Sequence, residues 1–302
     1  MTTPNETTMR ILLATDGSND AKAAVEWLRH LPLPENRDVL VVTVVDSLPV
    51  PAIPDMIGGL RRALVADARR LADNTAAELL APGRRTIGRV VEGDPRDEIV
   101  DAAKSWDADL VVLGARGLGA ITEFLLGSVS LAVARHAPCP VLVCKGTPRD
   151  IRSVTVALDG SAHARCALRW LAALPLPAGT HIRVLGVAEP QRYPASAPGL
   201  LHGAMRTAVA AIEAERRAVL EKACLVAAET FSGRAVTVEV LVRSGKPADE
   251  IVRDADEQGT DLLVLGARGL GAFKRLVLGS VSESVLRHAR SPVLIVRPPT
   301  AV

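Results

Sequence analysis

At 302 residues the chain has room for two domains of the usual ~150 residues, each able to bury a core of its own. Nearly half of it (48%) is apolar but only 2% is aromatic, so its cores must be built from Ala, Val, Leu and Ile, a mixture suited to buried parallel strands under Ala-rich helices. A net charge of +2 with acids and bases interspersed excludes the basic stripe of a nucleic-acid binder, and no run approaches ~18 apolar residues, so neither nucleic acid nor a membrane is an expected partner.

The first eight residues are polar and lack the apolar stretch of a signal peptide, which points to a cytoplasmic protein. Residues 10–15 form a short apolar run and read as a first strand. Residues 18–30 place Ala21, Ala24, Val25 and Leu28 on one helical face. A valine-rich second strand follows at 39–45, then a Pro/Gly-rich loop at 49–59 and a long amphipathic helix at 60–80. A third strand is expected at 86–91, and Asp94-Pro95 opens a third helix, with proline where the first turn tolerates it. The fourth strand is 110–113, the fourth helix 128–135 and the fifth strand 141–144. Strands alternating with helices imply right-handed crossovers and a doubly wound parallel sheet.

The chain then repeats itself. Residues 109–120 read DLVVLGARGLGA and residues 261–272 read DLLVLGARGLGA. Asp16-Gly17-Ser18 returns as Asp159-Gly160-Ser161, an offset of 143, whereas Gly127-Ser128-Val129-Ser130 returns as Gly279-Ser280-Val281-Ser282, an offset of 152. The second copy therefore has a longer middle, including a Pro/Gly-containing loop at 189–203, read as a surface excursion. The boundary falls near 145–152, giving domains 1–147 and 148–302. Cys139, Cys144, Cys166 and Cys224 form no CxxC pair and have no histidines at metal-ligand spacing, so they read as free thiols in a reducing compartment.

Ligands of open parallel sheets bind beyond the carboxyl ends of the strands, where strand order reverses. Three features of each copy converge there. Gly114-Ala115-Arg116-Gly117 follows the fourth strand, and its glycines let the backbone approach a phosphate. Gly127-Ser128 opens the next helix, with Ser128 expected as the N-cap of an anion-binding helix start. Asp16, just past the first strand, would repel phosphate and suits ribose hydroxyls or an adenine edge. Anion donors at one end and an acceptor at the other describe a nucleotide. Two familiar phosphate motifs fail: Gly17 stands alone after the first strand, and Gly245-Lys246-Pro247 has proline where a Walker A loop needs Ser or Thr.

The spacing Gly-x2-Gly-x9-Gly-Ser, at Gly114, Gly117, Gly127 and Ser128 and again at Gly266, Gly269, Gly279 and Ser280, resembles the nucleotide-binding signature of the universal stress protein family, in its ATP-binding branch. The resemblance covers nearly the whole chain, one family domain per half. It implies a Rossmann-like, HUP-type α/β domain with a five-stranded parallel sheet in the order 3-2-1-4-5, and ATP, with or without Mg²⁺, across the ends of strands one and four. The family's acidic residue maps to Asp16 and Asp159, and the backbone before it to Ala14-Thr15 and Ala157-Leu158. Its adenine-contacting valine maps to Val44 and Val187, and its phosphate-facing helix start to Ser128, Val129, Ser130 and Ser280, Val281, Ser282. Arg116 and Arg268 fall inside the loops, where they would add charge near a phosphate. The resemblance also implies domain pairing through the fifth strand, within the chain, and further association into a homodimer.

Each loop supplies one arginine, no lysine and no general base, so fast phosphoryl transfer is not expected. His136 and His288, near the end of the fourth helix of each copy, complement the helix dipole and read as structural. The sequence thus favours a nucleotide-dependent sensor or regulatory protein, whose part in a stress response is what the resemblance implies, with a slow ATPase or a nucleotide-free duplicated scaffold as the alternatives.

Overall fold

The computed structural model describes residues 8–46, 54–118, 126–190, 199–270 and 277–298. The first half runs β1 (Met9–Ala14), α1 (Asn19–His30), β2 (Arg37–Val45), α2 (Pro54–Glu78), β3 (Thr86–Glu92), α3 (Pro95–Ser105), β4 (Leu110–Gly114), α4 (Ser128–His136) and β5 (Val141–Cys144). The second half runs β6 (Ser153–Leu158), α5 (Ala162–Ala173), β7 (His181–Ala188), α6 (Gly199–Ala228), β8 (Thr237–Ser244), α7 (Pro247–Glu257), β9 (Leu262–Gly266), α8 (Ser280–His288) and β10 (Val293–Val296). Local chemistry sets several of these boundaries. The Ser18 and Ser161 hydroxyls accept from the amides of Ala21 and Ala164 and so cap α1 and α5. Asp94 caps α3 by accepting from the amide of Arg96, with Pro95 in the first turn.

Two Pro/Gly-rich stretches differ from expectation. α2 begins at Pro54, so Gly58 and Gly59 are helical, and α6 begins at Gly199. Proline is tolerated in a first helical turn and glycine costs only ~1 kcal/mol inside a helix, so neither residue type ended these helices. Residues 49–53 and 191–198 of those two predicted loops lie outside the described residues.

The strands form one sheet in the order β3-β2-β1-β4-β5-β10-β9-β6-β7-β8, so each half has the order 3-2-1-4-5. Every pairing within a half is parallel. The halves meet through β5 and β10, which run antiparallel with Leu142 opposite Leu294. The expected pairing through the fifth strand therefore occurs inside the chain. Apolar layers cover both faces of this sheet and pass through both halves. One gathers Ile11, Leu13, Trp27, Leu142, Leu171 and Leu294 beneath α1 and α5. The other gathers Leu12, Leu40, Val111, Val141, Val285 and Ile295 beneath α3, α4, α7 and α8.

Beyond the strand pairing, two cations tie the halves together. The Nζ of Lys145, just after β5, donates to the carbonyls of Leu286 (2.5 Å) and Ala289 (2.9 Å) at the end of α8. Arg297, just after β10, donates in the same way to the carbonyls of Ala134, Arg135 (3.1 Å) and Ala137 (2.6 Å) at the end of α4. The last carbonyls of a helix lack internal partners and carry its negative end, so a cation there both satisfies and neutralises them. Arg135 and Glu283 add an ion pair at 2.6 Å between the same two helices. Arg297→Ala strands three carbonyls and should lower unfolding stability by about 1–3 kcal/mol. Hydrogen exchange on the full chain should show the end of α4 losing protection in this variant, and the end of α8 losing it in Lys145→Ala. Unchanged protection in both would remove the cations from the account of domain pairing.

Candidate functional site

β1 and β4 lie side by side at the centre of the first half, with Ala14 opposite Leu113, and the chain leaves them in opposite directions across the sheet. That reversal opens a crevice beyond their carboxyl ends. β6 and β9 repeat the arrangement.

Gly114 ends β4 against the first turn of α1: a Cβ there would lie 2.6 Å from the carbonyl carbon of Asp20 and 2.8 Å from the nitrogen of Ala21. Gly266 stands equally close to His163 and Ala164, at 2.6 Å from each. These two glycines therefore serve backbone-to-backbone contact between strand and helix. Gly117 and Gly269 serve a different contact. The Asp16 carboxylate accepts from the amides of Ser18 (3.0 Å) and Leu118 (3.0 Å), and so fastens the loop after β4 to the end of β1. Asp159 does the same with Ser161 and Leu270, at 2.9 Å each. A Cβ on Gly117 or Gly269 would lie 2.5 Å from the Oδ2 of its aspartate.

α4 starts at Ser128 as expected, but its N-cap is one residue earlier than expected. Gly127, extended and with its amide held by the carbonyl of Ala115 at 2.8 Å, is the N-cap, and Ser128 is the first helical residue. Gly279 and Ser280 repeat this. The N-cap needs non-helical backbone angles, which the Gly127–Ala115 bond imposes on the glycine, so the hydroxyl of Ser128 is exposed instead of capping. Ser130 turns inward, donating to the carbonyls of Gly114 (2.8 Å) and Ala115 (3.1 Å), and Ser282 donates to Gly266 at 2.7 Å. These buried serines brace the helix start against the glycine loop. Val129 and Val281 are half-buried against the same apolar layer as Val44 and Val187, which lie near the carboxyl ends of β2 and β7. Ala14, Thr15, Ala157 and Leu158 are buried at the ends of β1 and β6, and the Thr15 hydroxyl accepts from the amide of Gly17 at 3.3 Å.

Both loop arginines are tied to the helix that follows the first strand of their half. Arg116 makes a two-pronged bond to Asp20, Nε to Oδ2 at 2.8 Å and Nη2 to Oδ1 at 3.0 Å. Arg268 meets a different residue: its Nε donates to the Nε2 of His163 at 3.2 Å. Lys145 lies close to Arg116 and Asp20; burial, then Arg116, pushes its ammonium down to about 8, with Asp20 pulling the other way. His163 is likewise pushed below its ordinary value, by burial first and then by Arg268 and Arg297, with Asp159 opposing. Asp20, His163, Lys145 and Arg297 were not among the residues singled out from the sequence. Alignment of the copies carries their signal: offset 143 places Asp20 on His163, and offset 152 places Lys145 on Arg297.

The model of the universal stress protein family matches residues 7–145 and again 150–297. A universal stress protein of Mycobacterium tuberculosis is 29% identical over 303 residues, spanning 95% of this chain and 96% of the relative. One from Mycolicibacterium smegmatis is 28% identical over 302 residues, spanning 95% and 97%. Among solved structures, a universal stress protein from Archaeoglobus fulgidus shares the fold, with a TM-score of 0.64 at 23% identity over 95% of this chain and 98% of that one.

The geometry of the loop yields a direct expectation. Gly117→Ala drives a methyl group into the Asp16 carboxylate and should break its bond to the Leu118 amide; Gly269→Ala should do the same at Leu270. Hydrogen exchange at Leu118 and Leu270 should rise in the matching variant alone, with a loss of about 1–3 kcal/mol for the lost bond and its stranded partner. Unaltered exchange at both amides would show that the loop accommodates a side chain.

Proposed function

This chain belongs to the universal stress protein family, and we propose that each of its halves, 1–147 and 148–302, binds one adenine nucleotide in the crevice between its first and fourth strands. The observation that carries the reading is the twofold recurrence of one assembly. In each half a carboxylate lies at the end of the first strand, a glycine loop is fastened to it, and a helix start is held open by a glycine N-cap. The first amides of α4 and α8 and the exposed Ser128 and Ser280 suit the phosphates. Asp16 and Asp159 suit the ribose hydroxyls, because each oxygen keeps a lone pair after accepting one amide. Val44, Val129, Val187 and Val281 supply apolar surface for the base.

ATP is the proposed ligand. Among the described residues no three His, Cys, Asp or Glu side chains gather into a metal cage, so Mg²⁺ would arrive with the phosphates, coordinated by them and by water.

Retention suits this site better than turnover. Phosphoryl transfer needs cations brought to the transferring group and a residue that orients the nucleophile. Arg116 is already committed to Asp20, and Arg268 to His163. The protein therefore works as a nucleotide-dependent stress-response regulator. No helix among the described residues is long and apolar enough to cross a membrane, and a cytoplasmic location is part of the proposal. So is a homodimer, which must use surfaces other than β5 and β10, because those edges are already paired to each other.

Denaturing the purified protein and identifying the released small molecules by chromatography and mass spectrometry should give about two adenine nucleotides per chain, mostly ATP. Release of ADP together with steady multiple turnovers would favour the slow ATPase. No nucleotide, and no binding of added ATP with Mg²⁺, would sink the reading and leave a duplicated scaffold.

A further inference from the structure

Among the described residues the two crevices share their skeleton but not their charge. In the first half Asp20 occupies the first turn of α1 and holds the Arg116 guanidinium. At the matching place in the second half, the first turn of α5 contains no acidic residue, and His163 meets Arg268. His163 takes the Arg268 Nε–H on its Nε2, and a protonated imidazole has no acceptor nitrogen, so this contact requires the neutral ring. The burial of His163 and its neighbours Arg268 and Arg297 favour the same neutral form.

Each half also has one further cation, from the segment after its last strand, whose charge acts on its loop arginine: Lys145 on Arg116 and Arg297 on Arg268. Asp16, Asp20, Arg116 and Lys145 balance to zero in the first half. Asp159, neutral His163, Arg268 and Arg297 leave one positive charge in the second. The helix ends differ in the same sense. Asp20 offsets the positive amino end of α1, whereas nothing acidic in its first turn offsets that of α5.

We propose that the second domain is the polyphosphate-selective site of the pair, and that Asp20 in the first domain and His163 in the second set this difference. The proposal rests on the nucleotide reading above and adds to it that the two sites are not equivalent. Asp20 and His163 act as positioning and charge-setting residues through their arginines. A unit charge acting over ~8 Å at an effective dielectric of ~20–40 changes the affinity for one further phosphate charge by roughly 5- to 30-fold. The second site should therefore favour ADP over AMP by that factor more than the first site does, and ATP over AMP by more still, and the gap should narrow as salt rises.

The test is calorimetric titration of the full-length, nucleotide-stripped protein with AMP, ADP and ATP, at low and at physiological salt. The unaltered chain should show two classes of ATP site that draw together for AMP. His163→Asp should lower the ADP-to-AMP preference of the tighter class by roughly 5- to 30-fold, the ATP-to-AMP preference by more, and bring the two classes together. Asp20→Asn, which removes charge without adding a histidine, should raise the preference of the weaker class, and so keeps the test decisive even if His163→Asp fails to fold. Two sites with equal preferences in the unaltered chain, or preferences that neither variant moves, would overturn the inference while leaving nucleotide binding intact. No binding of any of the three nucleotides would instead overturn the nucleotide reading beneath it.

Discussion

The rest of the site depends on how closely the fourth strand of each half ends against the helix that follows the first. At Gly114 and Gly266 the strand backbone and the first helical turn touch with no room for a side chain between them. That contact brings the loop after the strand within reach of the aspartate at the end of its neighbour. It also brings the loop arginine within reach of the helix. The Ser18 and Ser161 hydroxyls bridge the same seam, each accepting from its own helix and donating to the carbonyl of the loop arginine, at 3.3 Å to Arg116 and 3.1 Å to Arg268. Ser130 and Ser282 close the assembly from the other helix. Three elements that meet only in the folded chain thus become one rigid frame, and the openings it leaves are the amide-lined start of α4 or α8 and the mouth beside the aspartate.

The pseudo-twofold arrangement ties these frames together. The contacts are reciprocal: what Lys145 does to the end of α8, Arg297 does to the end of α4, as in the self-complementary interface of a symmetric dimer. The charge of each of these cations also acts on the loop arginine of its own half. One end of α4 therefore faces the first crevice, while its other end is held by a residue that belongs to the electrostatic surroundings of the second. The same holds for α8 with the halves exchanged.

Much of this architecture was legible because it is periodic. Buried strands such as 141–144 and amphipathic helices such as that carrying Ala21, Ala24, Val25 and Leu28 announce themselves by apolar spacing, and the duplication checks each assignment against its copy. What the residues at the crevice do was less legible, since it depends on contacts far apart along the chain. Arg116 and Asp20 are separated by 96 positions, Arg268 and His163 by 105. The sequence put Ser128 at the cap, and the resemblance put both Ser128 and Ser130 at the phosphates. The Gly127–Ala115 bond shifts the cap by one residue, and burial turns Ser130 inward. The glycines were expected to make room for phosphate. Gly114 and Gly117 also make room for α1 and for Asp16, and Cβ clearance of that kind has no signature in a single sequence.

Divergence between the halves follows a common logic. In the first, Leu40, Ile87, Val91 and Ala102 lie in or against an apolar layer. The matching positions of the second are Arg183, Glu239, Arg243 and Asp254, joined by Arg183–Glu239 at 2.6 Å, Arg183–Asp254 at 3.4 Å and Arg243–Asp254 at 2.8 Å, with Asp254 fully buried. Exchanging an apolar cluster for a balanced, fully hydrogen-bonded ionic one is close to neutral in stability, whereas any single step of the exchange leaves a buried charge without its partner. Such a change is tolerated only where the partner charges change together, and in this cluster Arg183 and Arg243 come with Glu239, Asp254 and Glu257, the last at the position of Ser105. The replacement of Asp20 by His163 is of the other kind. No compensating charge appears at the matching positions, since Arg116 is still Arg268 and Lys145 is still a cation as Arg297. Among the described residues this change of charge is left without a counterpart, and it lies in the first turn of the helix against which the loop arginine is held.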